Sequence, residues 1–312
     1  MAKTRVGVLI SGRGSNMAAL VYASQAPDCP YEVVLVASNV PDAPGLKLAA
    51  AEGIPVFAHA HQGVKRADFD RIIDAELVRH GVEIVALAGY MRLLSDDFVA
   101  KWAGRCLNIH PSLLPKHKGL DVHEAVLAAG ETKTGCTVHL VTPSLDDGPI
   151  LGQVEVAVLP GDTPVTLAER VHYAEHQLYP RVLAKLVGDA RSPETMLGRV
   201  RALALALPAA AEKLSHGSPG FYVEGGKFFA YFSYDHHHDG VMGLLVKASG
   251  IEEQTQLIEN DPDLYYRPAY LGPSGWIGIR LDTGDVDWGH IEDWLARSWR
   301  ASAPKRLAML PI

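Results

Sequence analysis

Arg5-Val6-Gly7-Val8-Leu9-Ile10-Ser11-Gly12-Arg13-Gly14-Ser15-Asn16 is the stretch that decides the fold. Residues 5–10 read as a continuous apolar run, the pattern of a strand covered on both faces. Two glycines follow, then a helical stretch over 17–24. Outward from this unit the alternation repeats. Strands read at 32–38, 55–57 and 83–88, and helices at 44–52 and 66–80. In the last of these, Phe69, Ile72, Ile73, Leu77 and Val78 carry helical spacing. The pattern predicts an α/β fold built on a doubly wound, mostly parallel sheet.

The pattern then changes. Cys106-Leu107-Asn108-Ile109-His110-Pro111 reads as a short strand entering a Pro-rich loop. Segments 135–142 and 150–158 are β-rich, and a helix over 163–187 ends the first domain. Gly188-Asp189-Ala190-Arg191-Ser192-Pro193 has linker composition, which divides the chain into domains 1–190 and 191–312. The second reads as a smaller α+β domain with its own aromatic core. Its helices are expected at 194–207, 252–260 and 286–302, and its strands at 221–223, 227–234, 243–247 and 276–280. Four of the five tryptophans (Trp276, Trp288, Trp294, Trp299) fall in it, and all three cysteines precede it.

Composition narrows the function. A chain of 312 residues with net charge −7 has no broad basic field, so bulk nucleic acid and anionic membranes are not expected partners. Cys29, Cys106 and Cys136 are odd in number and form no CxxC pair. A disulfide framework or thiolate metal site is not expected, and a reducing cytoplasm fits. The apolar run at the start is too short for a signal peptide or a membrane span.

Two constellations carry chemistry. Gly12-Arg13-Gly14-Ser15-Asn16 lies between strand and helix. Glycines let the backbone approach a ligand, and the helix start offers free N–H groups to an anion. A phosphate is the natural guest; a bare strand–helix turn is the alternative. In Asn108-Ile109-His110, residues i and i+2 of an extended segment share a face. An amide and an imidazole can then enter one cleft, the first to stabilise an oxyanion and the second to move a proton. Leu145-Asp146-Asp147-Gly148-Pro149 puts a carboxylate on a turn, where it can orient an imidazole. Singly, each has a structural explanation as a loop cap, a core histidine or a turn former.

Jointly these motifs are specific. Residues from about 5 to 187 resemble the phosphoribosylglycinamide formyltransferase family, folate-dependent enzymes of purine (IMP) synthesis. The resemblance rests on Leu9-Ile10-Ser11-Gly12-Arg13-Gly14-Ser15-Asn16, Leu87-Ala88-Gly89-Tyr90-Met91-Arg92-Leu93-Leu94 and Asn108-Ile109-His110-Pro111-Ser112-Leu113-Leu114-Pro115. Gly119-Leu120-Asp121-Val122-His123, Gly135-Cys136-Thr137-Val138-His139, Leu145-Asp146-Asp147-Gly148-Pro149-Ile150 and Glu175-His176-Gln177-Leu178-Tyr179-Pro180 follow in the same order.

The resemblance implies a formyltransferase fold and direct transfer of the formyl group of 10-formyltetrahydrofolate to the amine of glycinamide ribonucleotide, with no metal. It implies that Gly14, Ser15 and Asn16 hold the substrate phosphate and that Glu175 binds the ribose side. Arg66, Met91, Arg92, Leu93, Leu94 and Asn108 would line the folate pocket. Asn108, His110 and Asp146 would form the catalytic set. The family commonly carries an aromatic residue where His117 stands. His117 is expected at the pocket edge or on the surface, out of contact with the catalytic set.

Two rivals share the chemistry or the fold. Methionyl-tRNA formyltransferase has the Ser-Leu-Leu-Pro segment, but residues 191–312 hold 12 Lys+Arg against 15 Asp+Glu, or −3, a poor surface for tRNA. A folate-binding scaffold without activity would not need the Asn108, His110 and Asp146 set.

Residues from about 194 to 307 resemble the MmcQ/YjbR family, usually assigned a CyaY-like fold. His216-Gly217-Ser218-Pro219-Gly220-Phe221, Lys227-Phe228-Phe229-Ala230 and Trp276-Ile277-Gly278-Ile279-Arg280-Leu281-Asp282 carry the likeness. The family is often labelled DNA-binding, which the −3 charge does not favour. The expected role is accessory, with a homodimer contact left open. Asp235-His236-His237-His238-Asp239 reads as a polar hairpin turn rather than a metal site, because neighbours on a strand alternate faces.

Overall fold

The structure, a computed structural model, describes residues 3–235, 240–283 and 286–310. His236, His237 and His238 lie outside the described residues. The chain forms two compact units, Lys3–Val187 and one from Gly188 onward.

In the first unit the elements run β1 Thr4–Ile10, α1 Ser15–Ser24, β2 Tyr31–Ser38, α2 Pro44–Ala51, β3 Val56–Ala58, α3 Arg66–Arg79, β4 Ile84–Leu87 and α4 Asp96–Lys101. Then come β5 Cys106–His110, α5 Val122–Ala128, β6 Lys133–Leu140, β7 Ile150–Ala157 and α6 Pro164–Ala190. The sheet order is β3-β2-β1-β4-β5-β6-β7. The first five strands are parallel, and β6 and β7 close the far edge antiparallel. The apolar run of β1 is buried because both sheet faces are covered. Val6, Val8 and Ile10 join one core with α1, α2 and α6, while Leu9 joins the other with Phe69, Ile73 and Leu77 of α3.

The strand order reverses between β1 and β4, and ligands of open α/β sheets bind beyond the strand ends at such a point. The two ends are tied there. Ser11 donates its N–H to the Gly89 carbonyl (3.1 Å), and Met91 donates its N–H to Ser11 Oγ (2.7 Å). From the other side, the buried Tyr179 hydroxyl of α6 lies 3.1 and 3.2 Å from the Leu87 and Leu107 carbonyls of β4 and β5.

The second unit comprises α7 Pro193–Leu205, β8 Ala210–Ser215, β9 Ser218–Val223, β10 Phe228–Tyr234, β11 Met242–Lys247 and α8 Ile251–Asn260. It continues with β12 Tyr265–Tyr266, β13 Trp276–Arg280, α9 Trp288–Ser302 and α10 Lys305–Ala308. Its antiparallel sheet runs β12-β13-β11-β10-β9-β8. Ile291, Trp294, Leu295 and Trp299 of α9, at helical spacing, pack with Phe221, Phe229 and Phe232 in one core.

The expected linker over 188–193 is largely helical. Helix α6 continues to Ala190, closed by the Arg191 N–H on the Gly188 carbonyl (3.2 Å), and α7 starts at Pro193 behind its cap Ser192. Helices α4 and α5 and strands β8 and β12 were not legible. With two to seven residues each, they are too short for periodicity to register.

Candidate active site

The turn after β1 is built for close approach. Gly14 takes φ 74°, where a Cβ would lie 2.9 Å from Met17 Cε and 3.1 Å from the Gly45 backbone. Helix α1 therefore begins at Ser15 with its first N–H groups free of helical partners. Asn16 is buried and donates its side-chain N–H to Glu175 Oε2 of α6 (2.8 Å). Burial pushes the Glu175 carboxyl up to about 7, against the opposing effect of the Asn16 hydrogen bond. Asn16 Oδ1 is buried without a partner among the described residues.

Asn108 and His110 both lie on β5, two residues apart on one face. Asp146 arrives from the β6–β7 loop. Gly148 lets that loop press on β6, since a Cβ would strike the Leu140 carbonyl. Asp146 itself adopts φ 48°, a left-handed conformation that Asp tolerates better than most residues. Its Oδ2 lies 3.4 Å from His110 Nδ1 and accepts the Gly119 N–H at 3.0 Å. Burial pushes the Asp146 carboxyl up. Hydrogen bonds from His139 and Gly119 and the nearby charges of His110 and His139 outweigh it, and hold the group below its ordinary range.

His139 is the residue that sequence reasoning missed. It pairs with Asn108 across β5 and β6. Its Nε2 lies 3.3 Å from Asn108 Nδ2 and 3.5 Å from Asp146 Oδ1. It thus stands against both the amide and the carboxylate. His139 stands in a quoted motif, but only the register of the two strands puts it opposite Asn108.

His110 Nε2 lies 2.8 Å from the His117 carbonyl. A carbonyl only accepts, so Nε2 carries the hydrogen in this contact. With Asp146 at Nδ1, both ring nitrogens face acceptors. The expectation that His117 stays clear of the catalytic set is therefore corrected. Its side chain points to Glu131 (3.6 Å), but its main chain, turned by φ 52°, reaches the imidazole.

These groups border a cleft of about 790 Å³. Met91, Arg92 and Leu93 line it together with Asn108, His110 and Asp146. Met91, Leu93, Leu120 and Leu145 are all more than half exposed there, an apolar wall of the kind that planar ligands cover. Two of the expected folate residues lie elsewhere. Arg66 is exposed at the start of α3, and Leu94 packs against the Phe69 core. Arg92 stands over the Phe69 ring, 4.8 Å from its centroid. Gly14, Ser15, Asn16 and Glu175 are not among the residues that line the cleft. His123 lines it, and its basicity is lowered by burial and by His172 and His110; that of His172 is lowered by burial and by Arg13.

Known proteins resemble this chain in sequence and fold. A structure of phosphoribosylglycinamide formyltransferase from Brucella melitensis is 49% identical, with TM-score 0.58, over 60% of this chain and 96% of that one. Phosphoribosylglycinamide formyltransferase of Escherichia coli is 42% identical over 180 residues, 57% of this chain and 84% of the relative. The trifunctional purine biosynthetic protein adenosine-3 of Drosophila pseudoobscura is 48% identical over 194 residues, 60% of this chain. The chain covers only 14% of that relative's length. A YjbR family model matches residues 205–301. The formyl transferase family model matches residues 4–183, more than half of the protein, and the chain belongs to that family.

Proposed function

We propose that this chain is a phosphoribosylglycinamide formyltransferase, moving the formyl group of 10-formyltetrahydrofolate to the primary amine of glycinamide ribonucleotide in purine synthesis. The observation that supports it most is the meeting of Asn108, His110 and Asp146 at the wall of one cleft, with the buried His139 against Asn108 and Asp146.

In this reading Gly14, Ser15 and Asn16 at the start of α1 bind the phosphate, Glu175 meets the ribose side, and Met91, Arg92 and Leu93 flank the pteridine. The amine attacks the formyl carbon, and the carbonyl electrons move to oxygen. The Asn108 N–H₂ and the His110 imidazolium donate to that oxyanion. His110 Nε2 must exchange the His117 carbonyl for it, so the loop after Pro111 gives way as substrate enters. The nitrogen that attacked loses its proton, N10 of the folate gains one, and the carbon–N10 bond breaks. Asp146, held below its ordinary range by Gly119 and His139, keeps the ring oriented. Holding both substrates in line supplies much of the rate.

Among the described residues no helix is long and apolar enough to cross a membrane, and no group of His, Cys, Asp or Glu is placed to hold a metal ion. Cys29, Cys106 and Cys136 stand as free thiols, which goes with a cytoplasmic location. The test is to supply the full chain with 10-formyltetrahydrofolate and glycinamide ribonucleotide and follow formylation of the ribonucleotide. Formate release without a formylated product, or formylation of methionyl-tRNA instead, overturns the reading.

A further inference from the structure

The second unit contains a cavity that the transfer reaction does not use. The core of this unit lies on the sheet face that meets α7 and α9. On the opposite face, three glycines on three different strands let aromatic rings lie flat on the backbone. A Cβ at Gly220 of β9 would stand 2.7 Å from Phe228 and 2.8 Å from Tyr231; one at Gly243 of β11 or Gly278 of β13 would strike Tyr266. The rings run on as a ladder, with Phe228 stacked on Tyr231 (4.9 Å between centroids) and Tyr231 next to Trp276 (5.4 Å).

Between this floor and the loop over 268–271 lies a cavity of about 480 Å³, within the usual size of small-molecule sites. Tyr231, Tyr266 and Tyr270 give it aromatic walls, and Ser215, Ser218 and Ser233 give it hydroxyls. No Asp, Glu, Lys or Arg is found among the described residues that line it. The cleft of the first unit is the opposite case, with Arg92, Asp121, Glu124 and Asp146 among its lining groups.

That chemistry selects its guest. His216 is the only ionisable side chain other than tyrosine among the described lining residues, so an anionic or cationic ligand meets no fixed counter-charge among them when it loses water. Flat tyrosine faces favour a planar π-system by stacking. Hydroxyls that both donate and accept match the edge of a ring with alternating nitrogen and carbonyl groups. We propose that this cavity binds an uncharged, planar nitrogen heterocycle of the size of a purine base or a pterin. The lysines of this face lie outside the cavity, Lys213 over Tyr222 and Lys247 over Trp276. A nucleic-acid strand is therefore the less suited occupant, because its phosphates would have no basic partner inside. The proposal stands on the second unit alone and survives if the first unit has another activity.

The test uses the full chain and saturation-transfer difference NMR with hypoxanthine, with pterin and with a thymidine oligonucleotide. Transfer to the ring protons of hypoxanthine or pterin is expected; which of the two responds identifies the source. Leu245→Trp, which fills the cavity from β11, should weaken that binding by about tenfold or more. Tyr270→Ala serves if the filled variant fails to fold. Tyr270 is 82% exposed in a loop, and losing one stacking wall should weaken binding about threefold or more. Three results overturn the proposal: no transfer to either heterocycle at millimolar concentration, transfer undiminished in both variants, or tighter binding of the oligonucleotide that falls in parallel with these substitutions.

Discussion

The two units of this chain place their polar chemistry differently. The first concentrates histidines and carboxylates at the ends of β5 and β6, where Asp146 stands within 3.5 Å of two imidazoles. The second surrounds its cavity with tyrosines and hydroxyls. Parallel strands covered by helices on both faces leave only their ends open to a ligand. An antiparallel sheet packed by helices on one face leaves the other available. The difference teaches that the chemistry of the first unit hangs on a few polar groups, each held by others, whereas the second depends on shape.

The sharpest way to break that contrast is His110→Ala. It should cut formyl transfer about 10³-fold to 10⁴-fold, or about 4–5 kcal/mol of transition-state stabilisation. Steady-state kinetics would refute the role of His110 if the rate stayed within tenfold of the native value.

In the second unit the comparable blow is structural. Trp299 is fully buried and donates its Nε1–H to the Pro208 carbonyl at 3.0 Å. Trp299→Ala should cost about 4 kcal/mol in chemical unfolding of that unit. A loss below about 1 kcal/mol would remove α9 from the centre of its core.

Glu175 offers a pH-dependent test in the first unit. Folded, it keeps its proton to about pH 7, above its ordinary value of 4.5. Across that window the folded state binds the extra proton, so stability falls as pH rises, by about 3 kcal/mol in all. Glu175→Gln should abolish this slope in denaturation curves taken at pH 5 and pH 8. A slope unchanged by the substitution would mean that Glu175 is ionised when folded.

The smallest effect sharpens the comparison most. His139→Ala should lower kcat about tenfold with little change in KM, because His139 positions Asp146 and Asn108 rather than touching substrate. Removing the hydrogen bond that holds Asp146 low should also raise its pKa and shift the acid limb of the pH–rate profile upward. A tenfold loss with an unmoved acid limb would leave His139 a packing residue only.

Much of this was legible beforehand, for local reasons. The apolar run of β1, the glycines after it and the alternation in Asn108-Ile109-His110 are short-range patterns, and each found its element. What the structure added depended on the path of the chain. Arg66, expected in the folate pocket, stands exposed at the start of α3. The linker composition of Gly188-Asp189-Ala190 was overridden because the long helix α6 continues through it.

By itself the sequence determined the parallel sheet, the glycine turn after β1, the cleft residues on β5 and the presence of a second, aromatic unit. All of these follow from periodicity and from residue types that few conformations suit. Only the tertiary structure decided that His139 lies opposite Asn108, that the His117 carbonyl meets His110, and that Tyr266 lies flat over Gly243 and Gly278. These contacts arise from strand register and loop path, which join residues distant in the chain and leave no trace in local pattern.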